Sequence, residues 1–311
     1  MAPKVPVPNP AADKLPLAVR KNVRDEWESK KPEIEERISK ALGETWTISV
    51  NPNLLYANTD DEGRKSNIGA VIYWYFEPFA TNVESFVQSF GDDGKAELNN
   101  LVSEHRVEFV PQDETTFTYG GLQIKDGVLR LVFALGNLAV NVSDVSRDFT
   151  DALKKAAASG SGNAFNIVAR NAVREDYDTN IEAIQEAIGK LVGVPDIKLN
   201  GNFEKNAAAL AKAGDKVISD WDRGFGDGTY GYFEGLKGQL EYKGFKDDDM
   251  LQEGFQEGVS KNEIQLRVVD KLTKGSYHEL FIEDGVLVIQ TVPENWRTNV
   301  SYVGEDILEI L

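Results

Sequence analysis

Cysteine is absent from all 311 residues, and histidine and methionine occur only twice each. Without thiols the chain has no disulfide framework, no thiolate metal ligand and no cysteine nucleophile, which fits a reducing, cytoplasmic setting better than a secreted one. The two histidines, His105 and His278, fall in no serine-hydrolase spacing, and no strand-flanked G-x-S-x-G elbow is present. Long apolar runs are missing too. Nothing approaches the eighteen apolar residues of a membrane span, and residues 1–16, with five prolines, contain no apolar signal-peptide region.

Positive charge is scarce, with 34 Lys and Arg against 51 Asp and Glu, a net charge of −17. Residues 1–31 carry seven basic against four acidic side chains, so the remainder stands at −20. No basic stripe interleaved with aromatics is available to neutralise phosphates, which argues against nucleic acid as a partner. The acidic clusters Asp60-Asp61-Glu62, Asp92-Asp93 and Asp247-Asp248-Asp249 lack the alternating oxygen ligands of a calcium loop and read as solvated loops, so no metal is expected. Gly224–Gly228 is followed by no Gly-Lys-Ser/Thr and reads as a flexible insertion, not a phosphate cradle; no cofactor is expected.

What is present is self-similarity. Leu17–Gly43 aligns without a gap on Ile167–Gly193, with Arg20, Val23, Arg24, Ile34, Glu36, Ile38, Lys40 and Gly43 recurring as Arg170, Val173, Arg174, Ile184, Glu186, Ile188, Lys190 and Gly193. Tyr75-Phe76-Glu77 recurs as Tyr232-Phe233-Glu234. Leu122–Leu153 maps at constant spacing onto Leu280–Leu311, sharing Ile-x-Asp-Gly-Val-Leu and the Asn-Val-Ser runs that start at Asn141 and Asn299. The offset grows from 149 at Ile48 to 157 at Tyr75, which predicts about eight extra residues in a loop of the second copy. The chain therefore reads as a tandem duplication: a proline-rich disordered tail over 1–16, a first unit over 17–158, a Ser/Gly linker over 159–166 and a second unit over 167–311. Duplicated units commonly pack about a pseudo-twofold axis, a pseudo-dimer within one chain.

Within each unit, Val19, Val23 and Trp27, then Ile34, Ile38 and Leu42, sit on helical stripes separated by Pro32. Thr47–Val50 and the β-branched, aromatic Ala70–Phe76 read as strands, and Val83–Phe90 as a helix. Val107–Val110, Thr116–Ile124 and Val128–Phe133 read as an antiparallel run with tight turns at Asp126-Gly127 and Asp284-Gly285, and a helix over 144–158 closes the unit. The expected class is α+β, two helices before an antiparallel sheet. This order resembles the cystatin-like and NTF2-like cone folds, and the resemblance implies a sheet curled around a helix, with no activity attached.

Tyr75, Glu77, Tyr232 and Glu234 are the candidate ligand-binding residues. In a strand the Tyr and Glu of each set share a face, opposite the Phe, and a glutamate in an apolar groove is a candidate general base. Trp74, Trp221 and Trp296 read as core, and the two Asn-Val-Ser runs as recurring turns or helix N-caps. The leading expectation is a cytoplasmic, non-enzymatic binding protein holding a small, largely apolar molecule or a protein partner in the sheet concavities or between the repeats. The alternative is an isomerase, cyclase or hydratase using Glu77 or Glu234 as base.

Overall fold

The four-residue recurrence of Val19, Val23 and Trp27 buries all three side chains, and it does so through an irregular helix. The computed structural model describes residues 7–113, 116–147, 149–159 and 164–311; the Ser/Gly stretch 160–162, Asn163 and Asp148 lie outside the described residues. Helix α1 (Leu17–Val23) widens into one π-helical turn at Arg24–Glu28. Helix α2 (Lys31–Leu42) begins with Pro32 in its first turn, where the missing N–H is unneeded, and stops at Gly43 in the left-handed region (φ +78°).

Strand β1 (Thr47–Val50) is followed by α3 (Pro52–Ala57), α4 (Glu62–Ser66) and the long α5 (Ile68–Leu101), which is broken by a kink at Gly91 (φ +60°). The first two are capped by Asn51 and Asp61, whose side chains accept backbone N–H groups. Then come β2 (Arg106–Pro111), β3 (Gly120–Lys125), β4 (Val128–Phe133) and α6 (Phe149–Ser159). The strand expected at Ala70–Phe76 is helical. Val71, Ile72, Tyr75, Phe76, Phe79, Ala80 and Val83 are buried and Trp74 is exposed, a helical spacing that outweighs the local β-branched and aromatic composition. Trp74 accordingly leaves the core, while Trp221 and Trp296 are in it.

The sheet is mixed where an antiparallel one was expected. Its order is β1-β2-β4-β3, with β1-β2 and β2-β4 parallel and only β3-β4 antiparallel. The helices α3 to α5 form the long crossover that returns β2 beside β1 in the same direction, which a short hairpin cannot do. The connection from β2 then carries β3 to the far edge, and β4 comes back between them. The cone resemblance was drawn on an antiparallel run, so this pairing departs from it. At Asp126-Gly127 both residues have positive φ (54° and 72°), as a two-residue hairpin requires.

Contacts divide the chain into Met1–Gly162 and Asn163–Leu311. The second unit runs α7 (Ile167–Ala172), a π-helical turn at Val173–Tyr177, α8 (Ile181–Val192), β5 (Lys198–Asn200), α9 (Phe203–Ala213), α10 (Phe225–Tyr242), α11 (Asp249–Gly258), β6 (Glu263–Val268), β7 (His278–Glu283), β8 (Val286–Thr291) and α12 (Ile307–Ile310). Its sheet order, β5-β6-β8-β7, and strand directions match those of the first unit. Details match as well. Gly69 lets α5 approach Asn22 and Val23 so closely that a Cβ would lie 2.7 Å from the Val23 Cα, and Gly226 meets Ala172 and Val173 in the same way. The Gly224–Gly228 run opens α10 rather than forming a flexible insertion, and much of the added length lies in α9, eleven residues against six in α3.

Residues 7–16, expected to be disordered, are fastened to the first unit. Asn9 bonds Asn58 and the Ala57 carbonyl, Ala12 N–H donates to the Asn53 carbonyl, and Leu15 is buried. Prolines remove donors, but the intervening residues keep enough of them to anchor the segment.

Candidate functional site

Because Tyr75 and Tyr232 lie on helices, the strand-face geometry expected for them does not arise. Both rings are buried, and each hydroxyl ties down a backbone turn: Tyr75 Oη accepts the Ala139 N–H at 2.9 Å and Tyr232 Oη accepts the Arg297 N–H at 3.3 Å. Ala139 and Arg297 both have positive φ (60° and 66°), so the tyrosines hold backbone that few non-glycine residues adopt. Burial pushes each phenol up to about 12.

Glu77 and Glu234 do not face an apolar groove. Glu77 sits on the outside of α5, 3.6 Å from Arg37, whose guanidinium also bonds Glu84 at 2.9 and 3.0 Å. Glu234 is exposed on α10, one turn beyond Tyr230, and burial followed by this carboxylate raises the Tyr230 phenol. The four candidates thus separate into two buried structural ties and two surface carboxylates.

Other candidates have structural roles. His105 has φ +44° at the entry to β2 and stacks on Trp46, ring centroids 5.7 Å apart. Asp61 and Asp248 cap α4 and α11. Asn141 and Asn299 adopt positive φ ahead of short 3-10 turns, and neither caps through its side chain. Among the described residues no group of three or more His, Asp and Glu side chains is placed to hold a metal ion.

A groove of about 980 Å³ lies along β7 in the second unit, walled by loop 273–277 and by Tyr302, Glu305, Asp306 and Glu309. Glu279 shapes its loop wall. Its carboxylate accepts the N–H groups of Thr273, Lys274 and Gly275 and the Gln290 amide, all between 2.7 and 3.3 Å. Desolvation raises this carboxyl, but the hydrogen bonds from Lys274, Thr273, Gly275 and Gln290 together outweigh it and leave the group below its ordinary range. Glu283 bonds Arg267 at 2.6 Å. Glu305, Asp306 and Glu309 have no cationic partner among the described residues. Tyr277 and Tyr302 are about half exposed at its rim (44% and 55%), wide for rings of that size.

The corresponding place in the first unit, between β3 and α6, holds only about 360 Å³. Two positions account for much of the difference. Phe117 lays its ring where a Gly121 side chain would be and lines that groove; at the matching positions stand Gly275 and Glu279, whose carboxylate turns into the loop. The charge changes sign at two positions, since Lys125 and Arg147 correspond to Glu283 and Glu305, while Asp148 and Asp151 correspond to Asp306 and Glu309. Aligning the two halves position by position contains this signal; searching for residues shared by both halves passes over it.

No protein-family model, no curated protein and no solved structure matches the chain.

Proposed function

We propose that the chain arose by duplication of one α+β unit and that it is a non-enzymatic binding protein whose second unit seats a protein partner in the groove along β7. The observation that carries this reading is the groove itself: the pair Phe117/Gly121 is replaced by Gly275/Glu279, which removes an aromatic ring from the cavity and spends the new carboxylate on holding the loop open. Matching strand order, matching glycine contacts and matching tyrosine ties support a common ancestor for the two units. Exposed tyrosines rimming a cavity suit a protein partner, because such rings bring large contact area at low entropic cost. The carboxylates disfavour a purely apolar small molecule, which would desolvate them without compensation.

The acid/base reading draws no support from the geometry. Glu77 is held by Arg37 on a helix surface and Glu234 is solvent-exposed, so neither has the desolvated setting a general base needs.

Selection of a random peptide library on the intact protein tests the binding reading. Enriched peptides are expected to lose at least about tenfold in affinity for a Tyr277→Ala/Tyr302→Ala variant, the loss of one or two anchoring rings. Enriched peptides that bind the variant and the parent alike overturn it, as does the absence of any enrichment.

A further inference from the structure

Resting on the proposal that the β7 groove is a binding site, we infer that its occupant is a basic segment of another protein, bound in extended conformation as an added strand on the β7 edge. Strand β7 is terminal in its sheet, paired only with β8. The hairpin between them turns at Asp284-Gly285 (φ 50° and 78°), and Glu283 faces Val286 across it. A two-residue turn of this kind makes the flanking pair mutually hydrogen-bonded, so the alternation along the ladder aims the N–H and C=O groups of Leu280 and Ile282 away from β8. No partner for them is present among the described residues. An extended peptide satisfies such a row through its own main chain, and pockets beside the strand select its side chains.

Charge selects which peptide. Glu305, Asp306 and Glu309 line the groove with no cationic partner among the described residues, and Tyr277 and Tyr302 line it with them. Lys274 is the one Lys or Arg side chain lining this groove among the described residues. Carboxylates next to exposed tyrosine faces attract lysine and arginine by both ion pairing and cation–π contact. The first unit carries Lys125 and Arg147 where the second carries Glu283 and Glu305, while Asp306 and Glu309 recur there as Asp148 and Asp151; its groove is smaller, about 360 Å³, and Lys125 is paired with Asp113 at 2.7 Å. Two acidic positions of the groove, Glu283 and Glu305, therefore belong to the second unit alone.

Fluorescence anisotropy with the full chain tests this, using an alternating Lys-Val peptide of about ten residues, enough to span a strand, beside its Glu-Val counterpart. The Lys-Val peptide is expected to bind at least about tenfold more tightly, and to weaken by a similar factor between about 0.05 and about 0.5 M salt. Glu305→Arg/Glu309→Lys, which places at one position the residue the first unit carries, is expected to abolish the preference while circular dichroism stays unchanged. Pairing with β7 uses every second amide of the peptide, so N-methylating one alternate set is expected to weaken binding about tenfold or more and the other set by less than about threefold. Equal effects of the two sets overturn strand addition, and equal affinity for the Glu-Val peptide overturns the basic partner. If library selection returns groove-dependent peptides of neutral or acidic composition, this inference falls while the binding reading stands. A charge-reversed variant that changes its sedimentation behaviour, with the Lys-Val peptide inert, assigns the edge to a second copy of the chain and equally overturns it.

Discussion

Replacing Tyr75 by Phe removes one oxygen atom and tests whether the conserved-looking aromatic position serves structure or ligand. The hydroxyl accepts the Ala139 N–H at 2.9 Å, in a turn where Ala139 has φ +60°. Left-handed backbone costs an L-residue about 1–2 kcal/mol, and an amide stripped of its only partner in a part-buried site costs about 1–3 kcal/mol. Relief from burying the hydroxyl itself offsets part of this, so the expected loss is about 1–2 kcal/mol. In NMR-detected exchange the Ala139 amide should then open about five- to thirtyfold more readily, and a unit of this size should melt roughly 2–8 °C lower. Tyr232→Phe is expected to do the same at Arg297, by less, because that bond is 3.3 Å long. An Ala139 amide that exchanges freely in the parent protein, or at one rate with and without the hydroxyl, refutes the argument.

Alkaline pH should act through the same phenols. Both are raised in the folded state to about 12 against an ordinary value of 10.0, so the stabilisation is complete below pH 10 and is lost as the pH climbs toward 12; Tyr75→Phe and Tyr232→Phe should flatten that decline in urea titrations. Glu279 has the opposite sign: its carboxyl is lowered from 4.5, so its contribution holds above that pH and disappears as the pH falls below it, and Glu279→Gln should remove this acid sensitivity while freeing loop 273–277 to exchange. Gly69→Ala and Gly226→Ala should each cost about 1–3 kcal/mol by denaturant midpoint, since a methyl there overlaps backbone that has no room to retreat. Glu77→Gln should change stability by less than about 0.5 kcal/mol, because Arg37 keeps its two bonds to Glu84.

Much of the local structure was legible from residue patterns. The stripes through Val19, Ile34 and Ile184, the stops at Gly43 and Gly193 and the Asp-Gly hairpins announce themselves because each depends on a few neighbouring residues. Ala70–Phe76 is the reverse case. Its β-branched and aromatic content is a local signal, whereas its helical state follows from burial of Val71, Tyr75, Phe79 and Val83 against partners distant in sequence. Strand direction is equally hidden: whether β2 enters parallel or antiparallel to β1 is set by the α3–α5 crossover, whose helical character the composition of Ala70–Phe76 masks. The same difference decides the site, since Tyr75 and Glu77 share a face only in a strand.

The residues that recur in both units and those that differ between them have separate physical duties. Gly69 and Gly226, Tyr75 and Tyr232, Asp126 and Asp284 each meet a steric or hydrogen-bonding demand that recurs wherever this backbone path recurs, so these pairs track the fold and say little about ligands. The groove residues are under no such demand. Gly121 admits the Phe117 ring in one unit, and Glu279 binds its own loop in the other, each a complete solution to ordering the same connection. The space beside the edge strand is larger in the second, about 980 Å³ against about 360 Å³, and there Glu305, Asp306 and Glu309 have no cationic partner among the described residues. Since the fold tolerates either arrangement, its stability does not account for the acidic one. In a chain of net charge −17 such a cluster adds self-repulsion, which the basic partner we propose would relieve.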